Sequence, residues 1–131
     1  MIRMLVLDVD GILTDGRVFY GPGGQELTAF HILDGHGIKM AIRSGLLLAV
    51  VTGRESEAVA WRARELGIAE LHQKAVDKLP VFESLLARNG LDASQVACMG
   101  DDLLDLPSFG GPGWRSPCLR RWTTSGRPPT T

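Results

Sequence analysis

The 131-residue sequence holds two cysteines, too few for a disulfide framework. One of them, Cys98, lies in an apolar run and reads as a core thiol. No apolar stretch is long enough to span a bilayer, and Arg3 and Asp8 interrupt the N-terminal apolar run, so no signal peptide is read. The expected setting is the reducing cytoplasm, with no membrane association. A formal net charge of −1 leaves no cationic excess for a nucleic acid. There is no Walker-type glycine loop and no His/Cys spacing suited to zinc. The near-neutral balance hides an asymmetry. Arg115, Arg120, Arg121 and Arg127 all follow the last acidic residue, Asp105.

What is present is organised around Leu5-Val6-Leu7-Asp8-Val9-Asp10-Gly11-Ile12-Leu13-Thr14-Asp15-Gly16. A branched apolar run of this kind reads as a strand buried on both faces. It delivers two carboxylates, two residues apart, into a glycine-bounded turn. Burying an unpaired carboxylate is costly, so such a pair at a strand end implies a use. Asp8 and Asp10 can hold a hard cation through oxygen. With the cation in place, Asp8 can attack a phosphoryl group and Asp10 can move a proton.

The first strand is expected at 3–8. Runs at 17–20 and 25–30 flank Gly21-Pro22-Gly23-Gly24, which predicts a β-hairpin whose Val18, Tyr20, Leu27 and Phe30 need a partner surface. The spacing of Ile38, Ala41 and Ile42 suits a helix stopped by Gly45. Leu46–Val51 reads as a second strand ending in Thr52-Gly53-Arg54. Residues 55–66 read as a helix stopped by Gly67, and Ile68–Leu71 as a short strand. Asp77 is a plausible N-cap for a helix with Leu79, Phe82, Leu85 and Leu86 on one face, stopped by Asn89-Gly90. Val96–Met99 is a further strand, with Gly100-Asp101-Asp102 at its end. The alternation predicts an α/β fold with a doubly wound parallel sheet. Ligands bind at the carboxyl ends of the strands in such sheets, where Asp8, Asp10, Thr52, Asp101 and Asp102 all fall.

An acidic, oxygen-only donor set points to Mg²⁺ rather than a softer metal. The Thr52 hydroxyl, the Gly53 amide and Lys78 at a helix start would face phosphate. Taken singly, Thr52-Gly53 fits a strand-to-helix turn better and Lys78 a solvated helix charge better, while Arg54 and Arg62 equally fit a helix surface.

Asp8-Val9-Asp10-Gly11 with Leu13-Thr14-Asp15-Gly16, Val51-Thr52-Gly53-Arg54, Lys78, and Gly100-Asp101-Asp102-Leu103-Leu104-Asp105 together resemble the four motifs of the haloacid dehalogenase superfamily. Glu26-Leu27-Thr28-Ala29-Phe30, Asp34-Gly35-His36-Gly37-Ile38 and Leu66-Gly67-Ile68 are similar to the 3-deoxy-D-manno-octulosonate 8-phosphate phosphatases. The resemblance implies a Rossmann-like core with a hairpin insertion and no large cap domain. It implies Asp8 as nucleophile, Asp10 as acid and base, Thr52 and Lys78 on the phosphate, and Asp8, Asp10, Asp101 and Asp102 around Mg²⁺. Substrate contacts would come from Asp10, His31, Ile32, Leu33, Asp34, Gly35, Lys39, Gly53, Arg54, Arg62 and Lys78. The implied activity is hydrolysis of a sugar-acid phosphate, in lipopolysaccharide biosynthesis, by a homotetramer. The alternatives are a nine-carbon, sialic-acid-type phosphate as substrate, or a truncated module without catalysis.

The resemblance stops after Leu106-Pro107. Residues 1–107 are expected to form the phosphatase domain, and 108–131, rich in Gly, Pro, Arg, Ser and Thr, an irregular tail. A GC-rich codon set for 108–117 can be written whose adjacent frame reads Val-Leu-Arg-Arg-Ala-Gly-Leu-Ala-Val-Ala. The codons, freely chosen, permit the hypothesis of a shifted reading frame near Pro107 without proving it. The gene's nucleotide sequence checks it, and no apolar strand in either alternative frame would remove it.

Overall fold

Four short apolar runs form one parallel sheet in a computed structural model that describes residues 1–100. Asp101 and Asp102, and the tail at 108–131, lie outside the described residues. The elements are β1 (Met4–Leu7), β2 (Phe19–Tyr20), β3 (Glu26–Leu27), α1 (Ile32–Arg43), β4 (Leu47–Val51), α2 (Glu57–Leu66), β5 (Glu70–His72), α3 (Lys78–Asn89) and β6 (Val96–Met99). Short 3₁₀ turns lie at Pro22–Gly24 and Ala93–Gln95. The sheet order is β5-β4-β1-β6, all parallel, and β2 and β3 pair as a separate antiparallel ribbon. This is the expected doubly wound α/β architecture, with no large cap domain among the described residues.

Alternation along the strands splits the core in two. Met4 and Val6 of β1, Ala49 and Val51 of β4, and Val96 and Cys98 of β6 face α3 through Phe82 and Leu85. Leu7, Leu48 and Val50 face the other way, against Ile38 of α1 and Val59, Ala63 and Leu66 of α2. Both faces of β1 are therefore covered, which explains its unbroken apolar run. Cys98 is a buried core residue, as its run suggested.

Strands β1 and β4 and helix α2 begin or end one or two residues inside their expected bounds, and larger differences fall at α1, the hairpin and β5. Helix α1 begins at Ile32, so Asp34-Gly35-His36-Gly37 is helical rather than a lead-in. Its start is fixed by His31, whose Nδ1 accepts a hydrogen bond from the Leu33 amide at 3.1 Å. The hairpin strands are two residues each, shorter than expected. Strand β5 spans Glu70–His72 rather than 68–71. Gly67 closes α2 in the left-handed conformation, and the Ile68 amide turns back onto the Ala63 carbonyl at 2.9 Å, burying Ile68 in the core before the strand starts.

Candidate active site

Strand β1 places Asp8 one residue beyond its last ladder position, between the ends of β4 and β6. The Asp8 amide donates to the Met99 carbonyl at 2.9 Å, so the parallel ladder continues through it. Asp8 is 5% exposed. Lys78 Nζ donates to Asp8 Oδ2 at 3.1 Å, and the Val9 amide donates to Oδ1 at 2.7 Å. Lys78, itself 7% exposed, is the first residue of α3. Asp77 caps that helix by accepting from the Leu79 amide at 3.2 Å, as its sequence position suggested. The result is a buried carboxylate–ammonium pair between residues 70 positions apart. In low dielectric such a pair is held only where the geometry is good.

The turn after Asp8 is tight. The Val9 carbonyl accepts from the amides of Ile12, Leu13 and Thr14, and Gly11 sits at φ +80°. That conformation disfavours any residue with a Cβ, which accounts for glycine directly after Asp10. The Thr14 hydroxyl accepts from the amides of Gly11 and Gly16, at 3.4 and 3.1 Å. Thr14 is thus a loop organiser that its place in the motif did not reveal. Asp15 lies next in the loop. Its carboxyl is held below the usual range chiefly by the Arg17 side chain, which reaches it at 2.6 Å.

One strand over, Thr52 follows β4 and is 3% exposed. Its amide donates to the His72 carbonyl and its carbonyl accepts from the Ala75 amide, both at 2.9 Å. The Thr52 hydroxyl accepts from the Arg54 amide at 3.4 Å. Arg54 then turns back across the site. Its Nη1 meets Asp10 Oδ1 at 3.1 Å and its Nη2 meets Glu26 Oε1 at 2.8 Å. Desolvation alone would lower the Arg54 pKa, but the charges of Asp10 and Glu26 outweigh it and raise it. Glu26, on the hairpin, had no role assigned from sequence. A partner 28 residues away leaves no local signal.

Arg62 is drawn inward from α2. It donates to the His31 carbonyl at 3.2 Å, and its guanidinium carbon lies 5.5 Å from the Phe30 ring centroid. A Cβ on Gly35 would run into Arg62 Nη2 and lie 3.0 Å from Leu66 Cδ2. Glycine inside α1 is therefore what lets Arg62 lie beneath the start of that helix. Gly35→Ala is expected to push Arg62 off the His31 carbonyl, while the gain of about 1 kcal/mol in helix propensity offsets the crowding against Leu66, so the urea midpoint should move little.

The structure therefore joins Asp8 to Lys78 and Asp10 to Arg54, and sets Thr52 on the neighbouring strand end. Arg62 contacts the His31–Gly35 segment from below. Asp34 and His31 line a cavity of about 320 Å³ with Ile12, Leu13, Thr14 and Phe30. Lys39 is exposed on α1, and Ile32 and Leu33 are 82% and 72% exposed. Gly53 is exposed at the β4 end. Among the described residues no three His, Cys, Asp or Glu side chains cluster to hold a metal; Asp101 and Asp102 lie beyond them.

No family model matches the chain. The 3-deoxy-D-manno-octulosonate 8-phosphate phosphatase of Escherichia coli (strain K12) is 44% identical over 106 residues, covering 81% of this chain and 56% of that protein. The crystal structure of the Yersinia pestis phosphatase of that name superposes with a TM-score of 0.77 at 44% identity, over 81% of this chain and 57% of that one. A Legionella pneumophila structure assigned to the haloacid dehalogenase superfamily, subfamily III A, gives a TM-score of 0.76 at 35% identity, over 79% of this chain and 58% of that one. The matched part of this chain belongs to the haloacid dehalogenase superfamily. The Moraxella catarrhalis 3-deoxy-D-manno-octulosonate 8-phosphate phosphatase, solved with a magnesium ion, a phosphate ion and KDO, gives 0.76 at 43% identity, over 82% of this chain and 62% of that one. The chain spans a little over half the length of these curated relatives. Among the described residues its superfamily fold carries a hairpin and no large cap, as the sequence suggested.

Proposed function

We propose that this chain is a Mg²⁺-dependent phosphatase of a sugar-acid phosphate, 3-deoxy-D-manno-octulosonate 8-phosphate, acting through an aspartyl-phosphate on Asp8. The observation that carries the reading is the buried Asp8–Lys78 pair at 3.1 Å, at the carboxyl end of the central strand. A carboxylate desolvated to this degree, with one oxygen fixed by Lys78 and the other by the Val9 amide, is held in a defined orientation for attack. The similarity to named phosphatases, one of them bound to magnesium, phosphate and KDO, supports the same reading.

In the proposed cycle an Asp8 oxygen forms a bond to phosphorus as the bond from phosphorus to the sugar oxygen breaks. Asp10 gives its proton to that leaving oxygen. Water then attacks the aspartyl-phosphate, Asp10 takes its proton, and inorganic phosphate leaves with Asp8 regenerated. Lys78 offsets negative charge on the phosphoryl group, and Thr52 donates its hydroxyl to a phosphate oxygen. The donor set is oxygen only, which fits Mg²⁺: the Asp8 carboxylate and Asp10 would hold it together with Asp101 and Asp102. When bound, the cation supplies charge neutralisation and orientation of the phosphate.

The test is phosphate release from 3-deoxy-D-manno-octulosonate 8-phosphate beside a nine-carbon sialic-acid-type phosphate. Turnover of the first, lost with EDTA and restored by Mg²⁺, is the expected result. Preference for the second would move the substrate assignment, and turnover of neither by folded protein would overturn the reading. Thr52→Val should lower kcat/KM about a hundredfold with little loss of stability. A homotetramer is part of the proposal. It is supported by Phe19, Tyr20 and Leu27 of the hairpin, 47%, 72% and 51% exposed. Native mass spectrometry should show four copies, and a monomer would remove that part.

A further inference from the structure

Arg54 is shared by two carboxylates that come from different parts of the chain. Asp10 belongs to the loop after β1, and Glu26 to the β-hairpin. The Glu26 contact is the shorter of the two, 2.8 against 3.1 Å, and its side chain is the less exposed, 26% against 39%. The Arg54 side chain is itself 42% exposed, so a ligand can reach it from solvent. One guanidinium offers two outward arms. With Glu26 on one arm, a ligand carboxylate approaching Arg54 must take the other, where Asp10 now sits. Three carboxylates around one cation would repel, so the more exposed and longer contact yields.

We infer that Glu26 is a positioning residue, resting on the function proposed above. It holds Arg54 by Nη2, so that Nη1 exchanges between Asp10 and the carboxylate of a sugar-acid ligand. The exchange leaves Asp10 available to the leaving oxygen when a carboxylate-bearing ester is bound. A neutral ester makes no such demand on Arg54. Without Glu26, both arms of Arg54 close on Asp10 as a bidentate pair, which is the stronger arrangement and the one harder for a ligand to open. The β-hairpin thereby acts on ligand choice through one side chain.

The experiment compares wild type, Glu26→Ala, Glu26→Gln, Arg54→Ala and the double variant Glu26→Ala/Arg54→Ala. Each is assayed with 3-deoxy-D-manno-octulosonate 8-phosphate and with p-nitrophenyl phosphate, which carries no carboxylate. Calorimetry measures the Kd of free 3-deoxy-D-manno-octulosonate for every protein. The expected result is a KM for the sugar-acid ester, and a Kd for the free acid, raised about tenfold by both Glu26 variants. For both Glu26 variants kcat on the sugar-acid ester changes less than twofold and KM for p-nitrophenyl phosphate is unchanged, and Glu26→Ala adds nothing to KM or Kd once Arg54 is absent. Equal losses on both esters would mark a structural role and overturn the inference, as would an unchanged KM and Kd. If wild type hydrolyses neither ester, the proposed function fails. The Kd series then decides alone: a tenfold weakening by Glu26→Ala upholds the inference, and no weakening or no binding overturns it.

Discussion

Asp8→Asn is expected to lower kcat for phosphate release by at least about a thousandfold. The substitution keeps the shape of the side chain, and an amide oxygen can still accept from the Val9 amide that now reaches Oδ1 at 2.7 Å. It removes the negative charge and with it the nucleophile. The folded state should survive at lower stability: Asn keeps the packing, but the buried Lys78 ammonium loses the Asp8 charge, at a cost of about 3–5 kcal/mol. The measurement is a phosphate-release assay on protein whose circular dichroism matches wild type. Retention of more than about a tenth of the wild-type rate would mean that Asp8 does not attack phosphorus, since loss of a nucleophile costs orders of magnitude more.

Lys78→Met is expected to damage both stability and rate. Lys78 is 7% exposed and meets a carboxylate that is 5% exposed. Breaking a buried ion pair by removing one partner typically costs about 3–5 kcal/mol. For a domain of this size a loss of that order lowers Tm by roughly 10 °C or more. Methionine fills a similar volume, so the cost is electrostatic rather than a cavity. The rate should fall by about 10²–10³, as for other charge-stabilising donors aimed at a transition state. Calorimetric unfolding and phosphate release separate the two effects. A Tm within 2 °C of wild type, about the limit of a surface change, would place the Asp8–Lys78 contact outside the energetics of the fold.

Much of this site was legible because parallel strands announce themselves. The Leu5–Leu7 and Leu47–Val51 runs are apolar throughout since both faces are covered, and each ends on the residue that would do chemistry. Asp77 and Gly90 bracket α3 as cap and stop, and the structure places them so. The start of α1 was less legible. Gly35 and Gly37 weaken a helix by propensity, yet here Gly35 trades propensity for the space that Arg62 needs. Two-residue hairpin strands carry too few side chains for a period-2 pattern. The Glu26–Arg54–Asp10 bridge joins three elements distant in sequence, and nothing local announces it.

Strand β1 pairs with β4 on one side and β6 on the other, while β5 and β6 are the outer strands of the described sheet. A gradient of amide hydrogen exchange follows. Fraying begins at strands with one neighbour, and the slowest amides should be those of the two inner strands, β1 and β4. Asp8 continues one of the two inner strands of the described sheet through its bond to Met99. If that gradient holds, the proposed nucleophile is anchored to the part of the described sheet that opens last. Sub-global opening of the periphery can come and go during turnover while the attacking oxygen keeps its place.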